Sequence, residues 1–520
     1  MVALRQAQGT FLYSSLSGAL GVIEGLLYCI RRRRKNAVFC LHSRMKKKPI
    51  RRTRPVKKSK AEVASTAHIS LPSRVYRTHR IGDIVRAVGK TVTVTGRVFS
   101  VADDSFVLRD ETGAVQIFSP ELPVIFAIIE ITGVVEKEGT GKSGTVHVRA
   151  TGGRELVPAD AEPTRRLQWE RMLLDPAGRE IVRQRGQYLA AIRGFFLKRG
   201  FLEADTPSLV AVPGAEPYLS PLETIVTTAD GGSAQGFLVT SPEYCLKKLL
   251  VAGFEKLFEF SRSFRNEENL GGMHNHEFLM LEWYRAYASY LEIMDDCEAL
   301  VRALAKEMRG SQTLRVRGTT VHIDHPWERI SVVEAFQKYA AVDLEKNLDV
   351  EALRRTVRAK GYRPTDAEAY DDLFFRIFLN EVEPCLGRKV PTILYDYPIQ
   401  MGALAKRSEC DPRFAERFEL YIAGVELANA YTELNDAAEQ EERLRADIRL
   451  RKKMGKTAAG PDEDFMHALR IGMPPSGGIA LGLDRLLMLL LGKERIEDVR
   501  LFPASELFVF QKNGGKKKGL

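Results

Sequence analysis

Two alternating runs on either side of Asn269-Leu-Gly-Gly272 constrain this chain more than any other feature. The segment Phe258–Tyr287 carries Phe264-Arg-Asn-Glu267 before that turn and His274-Asn-His-Glu-Phe-Leu-Met-Leu-Glu-Trp-Tyr284 after it. The pattern predicts a β-hairpin. A side-chain period of two puts Ser263, Arg265 and Glu267 on one face of the first strand, and Phe278, Met280, Glu282 and Tyr284 on one face of the second. Arginine, acids and aromatics sharing a sheet face are costly to bury without a partner. A face that binds a nucleoside triphosphate and a cationic substrate accounts for all three residue types. An ion-paired surface hairpin, the plainer alternative, leaves Phe278 and Tyr284 unexplained.

Around this hairpin, strands and helices alternate without a βαβ rhythm as far as Phe510, which predicts an antiparallel sheet with helices packed on it, an α+β arrangement. Arg179–Arg199 reads as an amphipathic helix, with Tyr188, Leu189, Ile192 and Phe196 at helical spacing and Gly200 as its stop. Upstream, Thr91–Val101, Phe106–Arg109, Gly113–Phe118, Ala127–Lys137 and Thr145–Ala150 are five candidate strands, enough for a small barrel of the OB type over 75–158. Gly139–Gly144 reads as a mobile loop. It joins two strands and lacks the Walker spacing, so it is no phosphate loop. Phe99, Phe106 and Phe118 could stack nucleic-acid bases, although a strand phenylalanine is more often core.

Further on stands Gly477-Gly-Ile-Ala-Leu-Gly-Leu-Asp-Arg-Leu-Leu-Met-Leu-Leu-Leu491, a glycine-rich strand running into a helix. Before the hairpin stands Arg199-Gly-Phe-Leu-Glu-Ala-Asp-Thr-Pro207. In this order the three segments resemble motifs 1, 2 and 3 of the class II aminoacyl-tRNA synthetases, in the version of the lysyl-tRNA synthetase family. That family includes a paralogue that modifies elongation factor P. The resemblance implies a class II catalytic domain over 165–510 behind the barrel, and a homodimer formed through the motif 1 region. It also implies activation of lysine by ATP to lysyl-AMP.

By the same resemblance, Arg265 meets the α-phosphate and the substrate carboxylate, Glu267 the adenine amino group, Phe278 the adenine ring and Arg485 the γ-phosphate. His274 is placed beside the nucleotide as a positioning group, because the reaction needs no side-chain nucleophile. Glu419 and Glu426 match the acids that hold Mg²⁺, whose preference is for hard oxygen ligands. Glu282 and Glu433, with Tyr284 beside them, match the contacts of the lysine ε-ammonium. Glu243 matches the α-amino contact and Asn429 the carboxylate contact. Ala480 stands on the pocket wall, where the tRNA enzymes usually have glycine. Departures from the pattern are a motif 2 turn one residue longer, His276 in place of proline and Ala430 in place of glycine.

Two acceptors for the lysyl group remain open. Thr240-Ser-Pro-Glu-Tyr244, Leu427-Ala-Asn429 and Gly478-Ile-Ala-Leu-Gly482 look closer to the elongation factor P paralogue, and Ala480 would suit a β-amino isomer of lysine. A barrel together with a basic arm suits an RNA substrate, so tRNA is the expected acceptor. A catalytically inactive RNA-binding regulator would be expected to have lost Arg265, Arg485 or the Mg²⁺ acids, and all are kept.

The net charge of +11 resides in the N-terminal extension, 1–72: Arg31–Lys60 holds fifteen Lys and Arg and no acid, which leaves everything from Ala61 onward at −4. Such an arm, read as disordered, binds polyanions by counterion release. Residues 11–30 are apolar and of membrane-spanning length, but Gly18, Gly21, Glu24 and Gly25 interrupt them. The expectation is a start called early, with Met45 opening the basic arm and no membrane partner. Residues 511–520 form a basic tail. Six cysteines without a CxxC pair suit neither zinc nor a disulfide framework and point to a reducing cytoplasm.

Overall fold

The computed structural model describes residues 76–139, 144–214 and 216–509. The N-terminal extension with its apolar 11–30 run, the tail 511–520 and residues 140–143 of the expected loop lie outside the described residues. The described chain falls into two compact units, the second taking in everything from Glu155 onward.

The first unit is built on a closed five-stranded barrel: β1 (Thr91–Val101), β2 (Ser105–Arg109), β3 (Ala114–Phe118), β4 (Ile128–Glu138) and β5 (Thr145–Val157), in the order β1-β2-β3-β5-β4. Val92, Val94 and Val98 of β1, and Ile129, Ile131 and Val135 of β4, point inward at the period that sheet geometry requires. Phe106 is buried in this core, while Phe99 and Phe118 are half-buried. Of the three candidate stacking residues, Phe106 is thereby a packing residue. Closure of the barrel removes the exposed edges that so short a sheet would otherwise present.

In the second unit, after a short helix Gln168–Leu174, the helix Pro176–Leu197 buries Tyr188, Ile192 and Phe196, and Gly200 adopts φ 78° just past its end. Next come β6 (Leu202–Glu203) and a small sheet of β7 (Leu209–Val210), β8 (Leu222–Thr227) and β9 (Ser233–Leu238). They are followed by β10 (Lys256–Phe264), β11 (Glu277–Ala286) and a ribbon of β12 (Thr313–Val316) and β13 (Thr319–His322). The chain then supplies β14 (Glu328–Ser331), β15 (Thr392–Pro398), β16 (Phe414–Ile422), β17 (Val425–Thr432) and β18 (Ser476–Gly482). Eight of these strands form one sheet in the order β14-β15-β16-β17-β18-β11-β10-β6, antiparallel except at its two edge pairings.

Alternation assigns the two faces of this sheet different work. Leu281 and Trp283 of β11, Ile479 and Leu481 of β18, Ala428 and Ala430 of β17, and Phe418 and Leu420 of β16 enter one apolar core. Packed against them are the helices Tyr290–Arg309 and Leu483–Leu490. The longer helix starts at Ser289, whose hydroxyl accepts the Leu291 N–H, and stops at Gly310 in the left-handed conformation. The intervening residues of the same strands carry the polar groups. No helix among the described residues is long and apolar enough to cross a membrane.

Candidate active site

The polar face of the sheet floors a cavity of 490 Å³. Its floor is set by register. Glu282 on β11 is opposite Ala480 on β18, Ala480 is opposite Asn429 on β17, and Asn429 is opposite Glu419 on β16. These four residues therefore form one row across the sheet, and three strand steps make it roughly 14 Å long. A second row runs Tyr284, Gly478, Tyr431, Arg417. Gly478 has no latitude for a side chain, since a Cβ there would collide with both the Glu433 carboxylate and the Tyr284 ring.

At one end of the cavity lie carboxylates. Glu282 is fully buried, accepting hydrogen bonds from Ser241 Oγ at 2.6 Å and Tyr284 Oη at 3.0 Å. Burial, reinforced by the neighbouring Glu243, holds its carboxyl well above the usual range. Glu243 is the first residue of the helix Glu243–Val251, a terminus that favours an acid. One turn later the same helix presents Lys247, wholly buried, with Nζ 2.6 Å from Glu243 and 2.5 Å from Glu433. Burial and Glu243 raise the Glu433 carboxyl, and Lys247 opposes them. Glu216 also lines this end. Its Oε2 is buried without a hydrogen-bond partner, and burial followed by Glu243 raises its pKa while Arg265 and Arg451 lower it. Of these four acids, Glu243 and Glu433 share the Lys247 ammonium, while Glu216 feels Arg265 and Arg451.

Toward the other end the arginines gather. The Arg265 guanidinium stands 5.0 Å from the centroid of the Phe278 ring, with its buried Nε unpaired. Arg485, in the helix that follows β18, donates to the carbonyls of Glu426 at 3.0 Å and Met273 at 3.3 Å. Its neighbour Asp484 fixes that helix start by accepting the Leu279 N–H at 3.0 Å and pairing with Arg500 at 3.1 Å. Arg417 donates to Asn429 at 3.0 Å and pairs with Glu419 at 2.5 Å. Glu419 also accepts from Tyr397 and Tyr421. Beside it are Glu426 and Glu383, the latter pushed up to about 7 by burial and then by repulsion from Glu426 and Glu419. His274 pairs with Glu268 at 2.9 Å on the cavity wall. Burial and then Glu419 raise the Glu426 carboxyl as well, and a hard cation would relieve the charge gathered by these carboxylates.

Twelve of the thirteen residues singled out in the sequence line this cavity: Arg265, Arg485, His274, Phe278, Glu243, Glu282, Tyr284, Asn429, Glu433, Ala480, Glu419 and Glu426. Glu267 stands apart. The expected alternation through Ser263, Arg265 and Glu267 stops because β10 ends at Phe264, and Glu267 adopts φ 60°, turning outward to accept from Ser220 at 2.5 Å. Glu268 lines the wall instead. Sequence reading missed Glu216, Lys247 and Arg417. Arg417 had a signal, since it shares strand parity with Glu419.

The family described as tRNA synthetases class II (D, K and N) matches residues 164–506. The lysine--tRNA ligase of Pelotomaculum thermopropionicum is 33% identical over 464 residues, covering 83% of this chain and 90% of its own. That of Carboxydothermus hydrogenoformans is 34% identical, covering 82% and 92%, and that of Pseudomonas savastanoi pv. phaseolicola 36% identical, covering 79% and 85%. Such coverage exceeds what residues 164–520 hold, so the similarity extends upstream of the family match into the barrel.

Proposed function

The chain belongs to the class II tRNA synthetases (D, K and N), and from that premise we infer that it is a lysine--tRNA ligase. ATP activates lysine to lysyl-AMP, and the lysyl group passes to tRNA. The observation that carries this reading is the charge layout of the cavity: a cluster of Glu216, Glu243, Glu282 and Glu433 holding the buried Lys247 ammonium, with Arg265, Arg485 and Arg417 on the same lining. Two ammonium groups and a carboxylate on one substrate complement that layout, whereas an aspartate or asparagine side chain would leave buried acids unpaired.

In the first step a carboxylate oxygen of lysine bonds to the α-phosphorus while the bond to the pyrophosphate oxygen breaks. Arg265, which acts electrostatically on both Glu216 and Glu426, neutralises the carboxylate and the α-phosphate. Phe278, already beneath that guanidinium, offers the adenine a stacking face. Arg485 directs its guanidinium to the terminal phosphate. Glu243 receives the α-ammonium, Glu282 and Glu433 the ε-ammonium, and Asn429 the carboxylate. His274 holds Glu268 in place. Glu267 is assigned the adenine amino group only if its loop turns inward on binding, and Glu268 is the better placed of the two. Glu419 and Glu426 are the residues that would hold Mg²⁺, with Glu383 adjacent, and bound Mg²⁺ supplies charge neutralisation on the phosphates. The rest is alignment, which the fixed sheet register provides. The reading includes a homodimer through the Arg199–Pro207 region and action in the cytoplasm.

A second acceptor, elongation factor P, is favoured by one observation, the Ala480 methyl in the row between Glu282 and Asn429. The match through the barrel to lysine--tRNA ligases favours tRNA. The deciding experiment supplies purified protein with ATP and labelled lysine or β-lysine, then tRNA or unmodified elongation factor P in separate reactions. Lysine-dependent pyrophosphate exchange with label on tRNA is expected. Label on elongation factor P alone overturns the acceptor, and absence of exchange with either isomer overturns the ligase.

A further inference from the structure

On the catalytic unit, remote in sequence from every residue of the cavity wall, His322, Asp324 and His325 gather three potential ligand atoms that all lie within 4.8 Å of one another. We propose that this cluster is a second metal site, specific for a borderline transition ion such as Zn²⁺ and distinct from the carboxylates that suit Mg²⁺.

The loop that carries the cluster is held before any ion arrives. The His322 N–H donates to the Lys389 carbonyl at 2.8 Å and the Ile323 N–H to the Gln312 carbonyl at 2.7 Å. The Ile323 carbonyl accepts from Trp327 Nε1 at 3.1 Å, and the His325 carbonyl from Arg302 at 2.7 Å. Ile323 is fully buried in the apolar core, while His322 is half-buried and Asp324 and His325 are exposed. The bend after β13 brings His325 round until its ring stacks on that of His322, with centroids 4.6 Å apart and planes within 11°. Among the described residues, no hydrogen bond or ion pair engages any of the three side chains.

Chemistry then selects the ion. Two imidazoles and one carboxylate are a donor set for Zn²⁺, Co²⁺ or Ni²⁺, and Mg²⁺ and Ca²⁺ prefer oxygen throughout. Ligand atoms around a tetrahedral Zn²⁺ stand roughly 3.4 Å apart, as bonds of about 2.1 Å require. In the stacked pair the in-plane lone pairs run side by side, so binding would require the two rings, half-buried and exposed, to turn out of the stack until their nitrogens converge with the Asp324 carboxylate. Three protein ligands leave the remaining position to water. The ordering cost is small because the loop is already fixed, and the ion clips the end of the β12–β13 ribbon to the turn entering β14.

The test uses the full chain stripped with a chelator and held in excess Mg²⁺, which occupies the carboxylate site. Titration with Co²⁺ is followed by visible absorption, then competed with Zn²⁺. One saturable Co²⁺ per chain, displaced by Zn²⁺, is expected. The separate variants His322→Gln, His325→Gln and Asp324→Asn should each weaken it about tenfold or more, with lysine-dependent pyrophosphate exchange unchanged as the check on folding. The proposal is overturned if no saturable band forms, or if the His322→Gln/His325→Gln double variant binds Co²⁺ with undiminished affinity. Because the site takes no part in the ligase reading, either can fail without the other.

Discussion

Lys247 lays its ammonium 2.5 Å from Glu433 Oε2 with neither side chain open to solvent, so the protein supplies one of the cations its own acid cluster needs. Removing one member of a buried pair strands the other, at about 3–5 kcal/mol. Glu433→Gln is therefore expected to lower kcat/KM for lysine in pyrophosphate exchange by about a hundredfold or more. Lys247→Met should do comparable damage while lowering the melting temperature, because it leaves Glu243 and Glu433 facing each other. Exchange in Glu433→Gln within a few-fold of the parent would remove Glu433 from the substrate pocket.

The raised carboxyls of Glu282 and Glu433 make lysine binding pH-dependent, with a definite sign. A protonated carboxyl cannot pair with an ammonium, and these two take up protons while ordinary carboxylates are still ionised. KM for lysine should rise as pH falls from neutrality toward the usual carboxylate range. The free protein behaves oppositely. An acid whose folded pKa exceeds its unfolded one contributes stability that is lost as pH rises through the folded value. Stabilisation by lysine, read as the shift in melting temperature, should therefore grow from pH 5 to pH 8, and a flat profile would contradict the assignment.

Gly478→Ala tests the close packing of the second row. The added methyl would collide with the Glu433 carboxylate and the Tyr284 ring, and overpacking of this kind costs about 1–3 kcal/mol. KM for lysine should rise about tenfold or more. KM for ATP should move far less, because Arg265, Phe278 and Arg485 are untouched. Equal increases in both would indicate general damage to the sheet.

Glu216 lies electrostatically between Arg265 and Glu243, with its backbone carbonyl held by Arg451 at 2.6 Å. Under the proposed reading, that position would let Glu216 share the α-ammonium with Glu243. Glu216→Gln should raise KM for lysine in pyrophosphate exchange about tenfold while leaving inhibition by 6-aminohexanoate, which lacks that amino group, unchanged. Parallel losses for both compounds would reduce Glu216 to a structural role.

What was legible in the sequence follows from which forces are local. Period-two alternation exposed the hairpin and the barrel strands because each residue's face depends only on its neighbours. The row Glu282–Ala480–Asn429–Glu419 was accessible only as a family resemblance, since it depends on register between strands nearly 200 residues apart. Glu267 was misplaced because nothing in the alternation announces a strand end at Phe264 or the left-handed turn beyond it. Lys247 looks like a solvated helix charge until Glu433 arrives from the far side, and Glu216 owes its placement to Arg451. Long-range electrostatics was the part that the sequence withheld.

Ala480 gives the last prediction, because it touches the one question the charge layout leaves open. Its backbone is in register with Glu282 on one side and Asn429 on the other, between the residues assigned to the ε-ammonium and the carboxylate. A methyl group there narrows the floor beneath the carbon chain of the substrate. Ala480→Gly would return that volume without altering any charged group, and one methyl group in a pocket wall is worth about 1 kcal/mol of discrimination. The ratio of kcat/KM for lysine to that for β-lysine should therefore rise about fivefold in Ala480→Gly, with KM for ATP and the melting temperature little changed. A ratio that stays fixed would show that the isomer is chosen by Glu243 and Glu216 alone. A ratio that falls would show that the methyl group presses the α-amino isomer into place.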